Sequence, residues 1–552
     1  MKFEEKLKER KDWELWKEYC GFLDLTIDEF MAIQNRLMLE QIRKWRASGI
    51  GKTILKGRNP ETIEEFRKMV PLTSYEDYAD SLSLKDKSIL PDDPVVWIQT
   101  TWEGGRHTIK LAPYTRSMLE TYQNNMLGCL MLSTSSGRGD FDVNPKDTIL
   151  YALAPLPYAT GIFPLLLNDA ISIEFLPPVK EAQKMSFSER NKKGFKMGLK
   201  KGIDFFFGVG SVTYYVSLSI ASLGSGHKSG SGSGGGDGKK KISISPAMVV
   251  RLLKAKHLCR KEGRDLLPKD LFRLKGFMCA GTDNRLYRDD LEKLWGVRPM
   301  EIFAGTEPTC IGTEIWSRDG MYFFPDACFY EFIPEKEMER SLADPSYEPR
   351  TCLMNEVEEG EKYELVISLL KGGVFMRYRV GDVYRCIALE NERDQVRFPR
   401  FEYIDRIPTV IDIAGFTRIT ENSIGRVIGL SGLKVKDWAA AKEITENKRP
   451  FLHMYVEMEP ESLFSSAVTV NILKEHMGVY FKYVDEDYKD LKKILGIDPL
   501  EITILRCGTF DTYYRGDKEK MRRINPTQYE IGELLKSQEL VSAFGRRPER
   551  SV

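Results

Sequence analysis

Apolar residues return at close to helical period near the start of the chain. Leu23, Leu25 and Ile27 lead into Phe30, Ile33, Leu37, Leu39 and Ile42, with Lys and Glu between them, so the first ~45 residues read as helix. A second helix is expected from Thr62 to Met69. The pattern then changes. Val95-Val96-Trp97-Ile98-Gln99-Thr100-Thr101 is β-branched and aromatic, hence a strand. Glu103-Gly104-Gly105 is a turn, Thr108–Ala112 a returning strand, and Thr115 caps a helix from Met118 to Leu132. Farther on, strands (Thr148–Ala154, Ala170–Leu176, Lys275–Cys279, Met300–Phe303) alternate with helices (Val249–Cys259, Asp289–Trp295). That alternation predicts an α/β fold with a partly parallel sheet.

Beyond Arg406 the texture shifts to a strand (Leu452–Met458), a helix (Leu463–His476) and another strand (Glu501–Leu505), a separate α+β domain. The expected division is residues 1–406 and 407–552. Within the first, residues 224–241 are almost wholly Gly, Ser and Lys and form a flexible surface loop. The uncharged runs Thr148–Asn168 and Phe205–Leu223 are interrupted by prolines in the first and by glycines and hydroxyl residues in the second. Both are expected to be buried soluble segments rather than membrane spans.

Composition narrows the function classes. The 552 residues carry 82 Lys+Arg against 81 Asp+Glu, a net charge of +1, which argues against a nucleic-acid binder. Nine dispersed cysteines without a Cys-x-x-Cys pair, five scattered histidines and a charged N-terminus predict neither a disulfide scaffold nor a zinc site nor a signal peptide. A reducing cytoplasm is the expected location, with no obligate protein partner.

Four segments carry chemistry. Thr100–Lys110 contains a Gly104-Gly105 turn whose backbone N–H groups can face phosphate, with Lys110 beyond it. Glu301-Ile302-Phe303-Ala304-Gly305-Thr306-Glu307 ends a strand in small residues, a hydroxyl and a carboxylate, where open α/β sheets bind ligands. An aromatic such as Phe303 can stack a base, and Glu307 can hold a metal ion. Tyr378-Arg379-Val380-Gly381-Asp382 places a carboxylate after a glycine, suited to ribose hydroxyls. Phe401–Arg406, with Asp412 and Gly415, marks the domain junction. Singly, each segment also fits a hairpin turn, a strand end, a Gly-Asp turn or an ion-paired linker.

Together with Leu153–Tyr158, Phe175–Pro178, Cys279-Ala280-Gly281-Thr282-Asp283, Phe324-Pro325-Asp326, Gly508-Thr509-Phe510 and Ile524–Thr527, and in this order, they resemble the acyl-acid-amido synthetase family of adenylate-forming enzymes, its bacterial members above all. The resemblance implies a large N-terminal adenylate-forming domain of mixed sheets and helices and a small, mobile α+β C-terminal domain. It implies ATP and Mg2+, activation of a small carboxylic acid as acyl-AMP, and transfer to an amine such as an amino acid. Carried onto this chain, the ATP-binding residues are Gly104, Gly105, Lys110, Ala280, Gly281, Thr282, Phe303, Gly305, Thr306, Tyr378, Asp382 and Arg406. The metal ligand is Glu307. The catalytic set is Thr306, Glu307 and Lys520, although Met521-Arg522-Arg523 replaces the small and proline residues usual beside that lysine.

The phosphate loop departs from the family pattern. Trp102-Glu103-Gly104-Gly105-Arg106-His107 lacks the usual hydroxyls and adds an anion at Glu103. Two alternatives stay open: a ligase transferring to coenzyme A, and a nucleotide-binding relative with weakened or lost catalysis.

Overall fold

A computed structural model describes residues 1–101, 109–153, 155–185, 187–225, 245–413, 417–460, 466–484, 498–515 and 521–544. The chain divides into a larger unit of Met1–Thr100 and Lys110–Asp405 and a smaller one that takes in Arg406–Val552.

The N-terminal helices form where the apolar period placed them, but as Phe3–Glu9, Asp12–Cys20 and Ile27–Ala47. Thr26 breaks the run: its hydroxyl accepts from the Glu29 N–H at 3.2 Å while the Glu29 carboxylate accepts from the Thr26 N–H at 2.8 Å, a reciprocal cap that starts the long helix. Thr62 and Thr115 cap the helices Ile63–Met69 and Arg116–Thr134 in the same way, each accepting from the N–H three residues on.

Among the described residues, eleven strands form the central sheet of the larger unit. On one side Glu174–Leu176, Thr148–Ala152, Phe205–Val209, Gly276–Ala280 and Met300–Gly305 lie parallel, in that spatial order. Met300–Gly305 then pairs antiparallel with Thr309–Glu314. The sheet continues through Met321–Phe323, Arg400–Arg406, Tyr378–Ala388, Lys362–Leu369 and Cys328–Pro334. Met300–Gly305 is therefore the seam between a parallel and an antiparallel half. Parallel strands are covered on both faces and read as continuous apolar runs, which is why Phe205-Phe206-Phe207 is buried throughout.

Two expectations are corrected. Ala170–Leu176 is not one strand. Pro164, whose fixed φ suits a first helical turn, opens the helix Phe163–Ala170, leaving only Glu174–Leu176 for the sheet. The Gly/Ser stretch begins late, because Gly224 still belongs to the helix Gly210–Ser225; residues 226–241 lie outside the described residues. Among the described residues no helix is long and apolar enough to cross a membrane.

In the smaller unit Val435–Ile444 pairs antiparallel with Pro450–Met458, which pairs parallel with Leu500–Leu505. The helices Thr509–Tyr514 and Gln528–Phe544 pack on this sheet through Ala439, Tyr455, Phe510, Tyr513 and Leu534. One buried carboxylate organises the join. Glu457 accepts from the Gly508 and Phe510 N–H groups, both at 2.8 Å, and pairs with Lys436 at 3.0 Å. It thereby supplies an acceptor to the open N-terminus of Thr509–Tyr514.

Candidate active site at the sheet seam

The site is built where the sheet changes direction. After Met300–Gly305 the chain turns through Thr306, Glu307 and Pro308 and returns as Thr309–Glu314. A side chain at Gly305 would press against the Pro308 ring at 3.0 Å, so a glycine suits this turn. Tyr114, fully buried on the strand Ile109–Thr115, fixes the turn by donating to the Thr306 carbonyl at 2.6 Å and approaching that of Gly305 at 3.3 Å.

Two side chains of the described residues meet on one oxygen of Glu307. Its Oε1 takes the Lys110 ammonium at 3.0 Å and the Tyr378 hydroxyl at 2.7 Å, while Lys110 Nζ lies 3.0 Å from the same hydroxyl. The Lys110 cation also faces the rings of Tyr75 and Tyr378, at 5.4 and 5.7 Å from their centres. Glu307 is only 7% exposed. Burial, opposed by a bond from the Leu111 N–H and aided by the nearby Glu307 charge, pushes the Tyr75 hydroxyl up to about 12. Burial likewise raises that of Tyr114 well above its usual range. Both tyrosines are therefore neutral at physiological pH.

Tyr378 stands where it does because its strand is clamped. The Thr73 N–H donates to the Arg377 carbonyl and the Arg379 N–H to the Thr73 carbonyl, both at 2.9 Å. The Arg377 guanidinium lies on the buried Glu331 carboxylate, with two contacts at 3.1 Å, and Arg379 pairs with the buried Glu364. Asp382 follows in a bulge. Glu364 pairs with Val383 and Val366 with Arg379, so Val380-Gly381-Asp382 bows out opposite Leu365. Gly381 adopts φ +80° there, which favours glycine. Asp382 is 1% exposed.

Phe303 meets the same strand. Its ring is edge-on to Tyr384, centres 5.5 Å apart and planes at 89°. On the adjacent parallel strand Cys279 pairs with Glu301, which sets Ala280 beside the Ile302–Phe303 end. Gly281 follows at φ +113°, and Thr282 and Asp283 lead into the helix Asn284–Trp295.

Lys110, Phe303, Gly305, Thr306, Glu307 and Tyr378 are thus joined by direct contacts or chain adjacency at one end of the sheet, with Asp382 in the bulge between Tyr378 and Tyr384. Arg406 falls in the smaller unit, 3.5 Å from the buried Asp412, which Arg418 also approaches. Gly104, Gly105 and Lys520 lie outside the described residues. Tyr75, Tyr114 and Tyr384 had no motif to reveal them. Their signal is an aromatic on a strand or just before a helix, which ordinary core residues share.

Two family models match this chain: the GH3 family N-terminal domain over residues 21–149 and the GH3 family central domain over 321–406. The first match contains Lys110, the second Tyr378 and Asp382, and the Phe303–Glu307 turn falls between them. A jasmonoyl–L-amino acid synthetase from Nicotiana attenuata is 26% identical over 40% of this chain and 38% of its own length. A probable indole-3-acetic acid-amido synthetase from Oryza sativa subsp. japonica is 28% identical over 38% and 47%. The chain thus spans less than half the length of these curated relatives.

The AtGH3.15 acyl acid amido synthetase structure in complex with 2,4-DB superposes with TM-score 0.50 at 15% identity, covering 96% of this chain and 97% of that one. A 2-hydroxyisobutyryl-CoA ligase with 2-HIB-AMP and CoA gives 0.56 at 14%, covering 93% and 92%. The chain therefore shares its overall fold with these two enzymes.

Proposed function

We propose that this chain is an ATP-dependent acyl-acid amido synthetase, joining a carboxylic acid to the AMP part of ATP with release of pyrophosphate and passing the acyl group to an amine with release of AMP. An amino acid is named for the jasmonoyl–L-amino acid synthetase relative. The observation that carries this reading is the contact of Lys110, Glu307 and Tyr378 at the strand ends that also present Phe303 and the bulge holding Asp382.

A substrate carboxylate must attack a phosphorus already surrounded by negative oxygens. Two unit charges about 4 Å apart interact by roughly 4 kcal/mol at an effective dielectric near 20. Lys110 is suited to offset that repulsion, with Gly104 and Gly105 supplying backbone donors. Phe303 offers a face to adenine, Ala280, Gly281 and Thr282 a backbone edge, Thr306 a hydroxyl to phosphate, and Asp382 an acceptor pair to ribose. Arg406 (ribose) and Lys520 (charge neutralisation in adenylation) keep the roles that the family resemblance gives them. Glu307, a little-exposed hard oxygen donor, fits Mg2+; when bound, the ion supplies charge neutralisation of the triphosphate. The nine cysteines are all free, which supports a reducing, cytoplasmic setting.

The test is acid-dependent exchange of labelled pyrophosphate into ATP, screened over aromatic, aliphatic and hydroxy acids, followed by product analysis with amino acids and, in parallel, coenzyme A. At least one acid should support exchange. Glu307→Ala should depress it by ~10²–10³, on the scale of a lost oxyanion donor, and Asp382→Ala should weaken ATP binding. ATP binding without exchange for any acid would overturn the ligase reading. A thioester product would replace the amine by a thiol acceptor.

A further inference from the structure

Glu307 already has a cation. The oxygen that a divalent ion would have to take is occupied by the Lys110 ammonium and the Tyr378 hydroxyl, and both charged side chains are largely withdrawn from water. Separating such a pair leaves each charge poorly solvated, which is far costlier than leaving it intact. A metal ion arriving alone would have to expel an ammonium that stays nearby and repels it. A triphosphate arriving alone would draw Lys110 from Glu307 and set its own negative charge beside that carboxylate. When the two arrive together, phosphate takes the ammonium and metal takes the carboxylate, so each protein charge exchanges one opposite charge for another.

We propose that the Lys110–Glu307 pair is a latch that makes cation binding and nucleotide binding depend on one another, with Tyr378 the positioning residue that keeps Glu307 oriented while its partner changes. This rests on the functional reading above and adds a regulation of the same site: metal is refused until nucleotide comes with it.

Mn2+ is the probe, followed by loss of its free paramagnetic resonance signal on the full-length protein without nucleotide. Lys110→Met should bind Mn2+ at least tenfold more tightly than wild type, and adding Glu307→Gln to that variant should abolish the gain. The second arm needs no metal. In excess chelator, Glu307→Gln should bind ATP at least tenfold more tightly than wild type, because the Glu307 negative charge no longer holds Lys110. It should also lose the further tightening that Mn2+ gives wild type. Unchanged Mn2+ affinity in Lys110→Met, or unchanged chelator-ATP affinity in Glu307→Gln, would overturn the latch. The second arm decides if the lysine variant does not fold. Wild-type protein that binds no ATP even with Mn2+ would overturn the functional reading, and the latch with it. Metal-dependent ATP binding with both variants silent removes the latch alone.

Discussion

Glu301 shows how one side chain at the seam can be poised by its surroundings. Its carboxylate accepts from Asn284 at 3.2 Å and lies 3.7 Å from Arg288, while that guanidinium is engaged more closely by Glu314. Burial first, and the Glu314 charge second, raise Glu301 from 4.5 to about 7. In that window the folded protein holds a proton that the unfolded chain has released, so stability falls as pH rises from about 4.5 through 7. Glutamine resembles the protonated acid. Glu301→Gln should therefore match wild type near pH 5 and exceed it at pH 8, by on the order of 1–3 kcal/mol. Thermal melts at the two pH values check this; a wild-type advantage at pH 8 would refute it.

Elements in this chain are terminated by residues that can be named, and that governed what could be read in advance. Thr62 and Thr115 announce their helices because a hydroxyl before an apolar run has a local job, bonding to an N–H three residues away. Ala170–Leu176 misled because a short apolar run looks alike at a helix end and in a strand, and only the pairing partner separates them. The Lys110–Glu307 contact, spanning 197 residues, and the buried partners of Arg377 and Arg379 left no periodic trace. The glycine-acid pair Gly381-Asp382 was visible, but the bulge that gives it meaning needs the neighbouring strand. Glu457 is another such hidden joint. Glu457→Ala should strip two N–H groups and Lys436 of their buried acceptor and cost roughly 3 kcal/mol. Hydrogen exchange should then quicken in Thr509–Tyr514 and Gln528–Phe544 and stay unchanged in the central sheet of the larger unit. Uniform acceleration across both units would contradict a local role.

For the molecule as a whole, the informative feature is the seam strand Met300–Gly305, whose partners come from both directions along the chain. Its carboxylate neighbour Glu307 is held by a residue far upstream and by another far downstream. Contacts of such long sequence separation form late, because loops must close before they are rewarded. During refolding from denaturant, recovery of nucleotide binding should lag behind recovery of the helical circular dichroism signal, and equal rates would refute this. A ribosome making this chain would accordingly release something helical long before it released anything able to hold a triphosphate: until Tyr378 emerges, Glu307 waits without the hydroxyl that orients it.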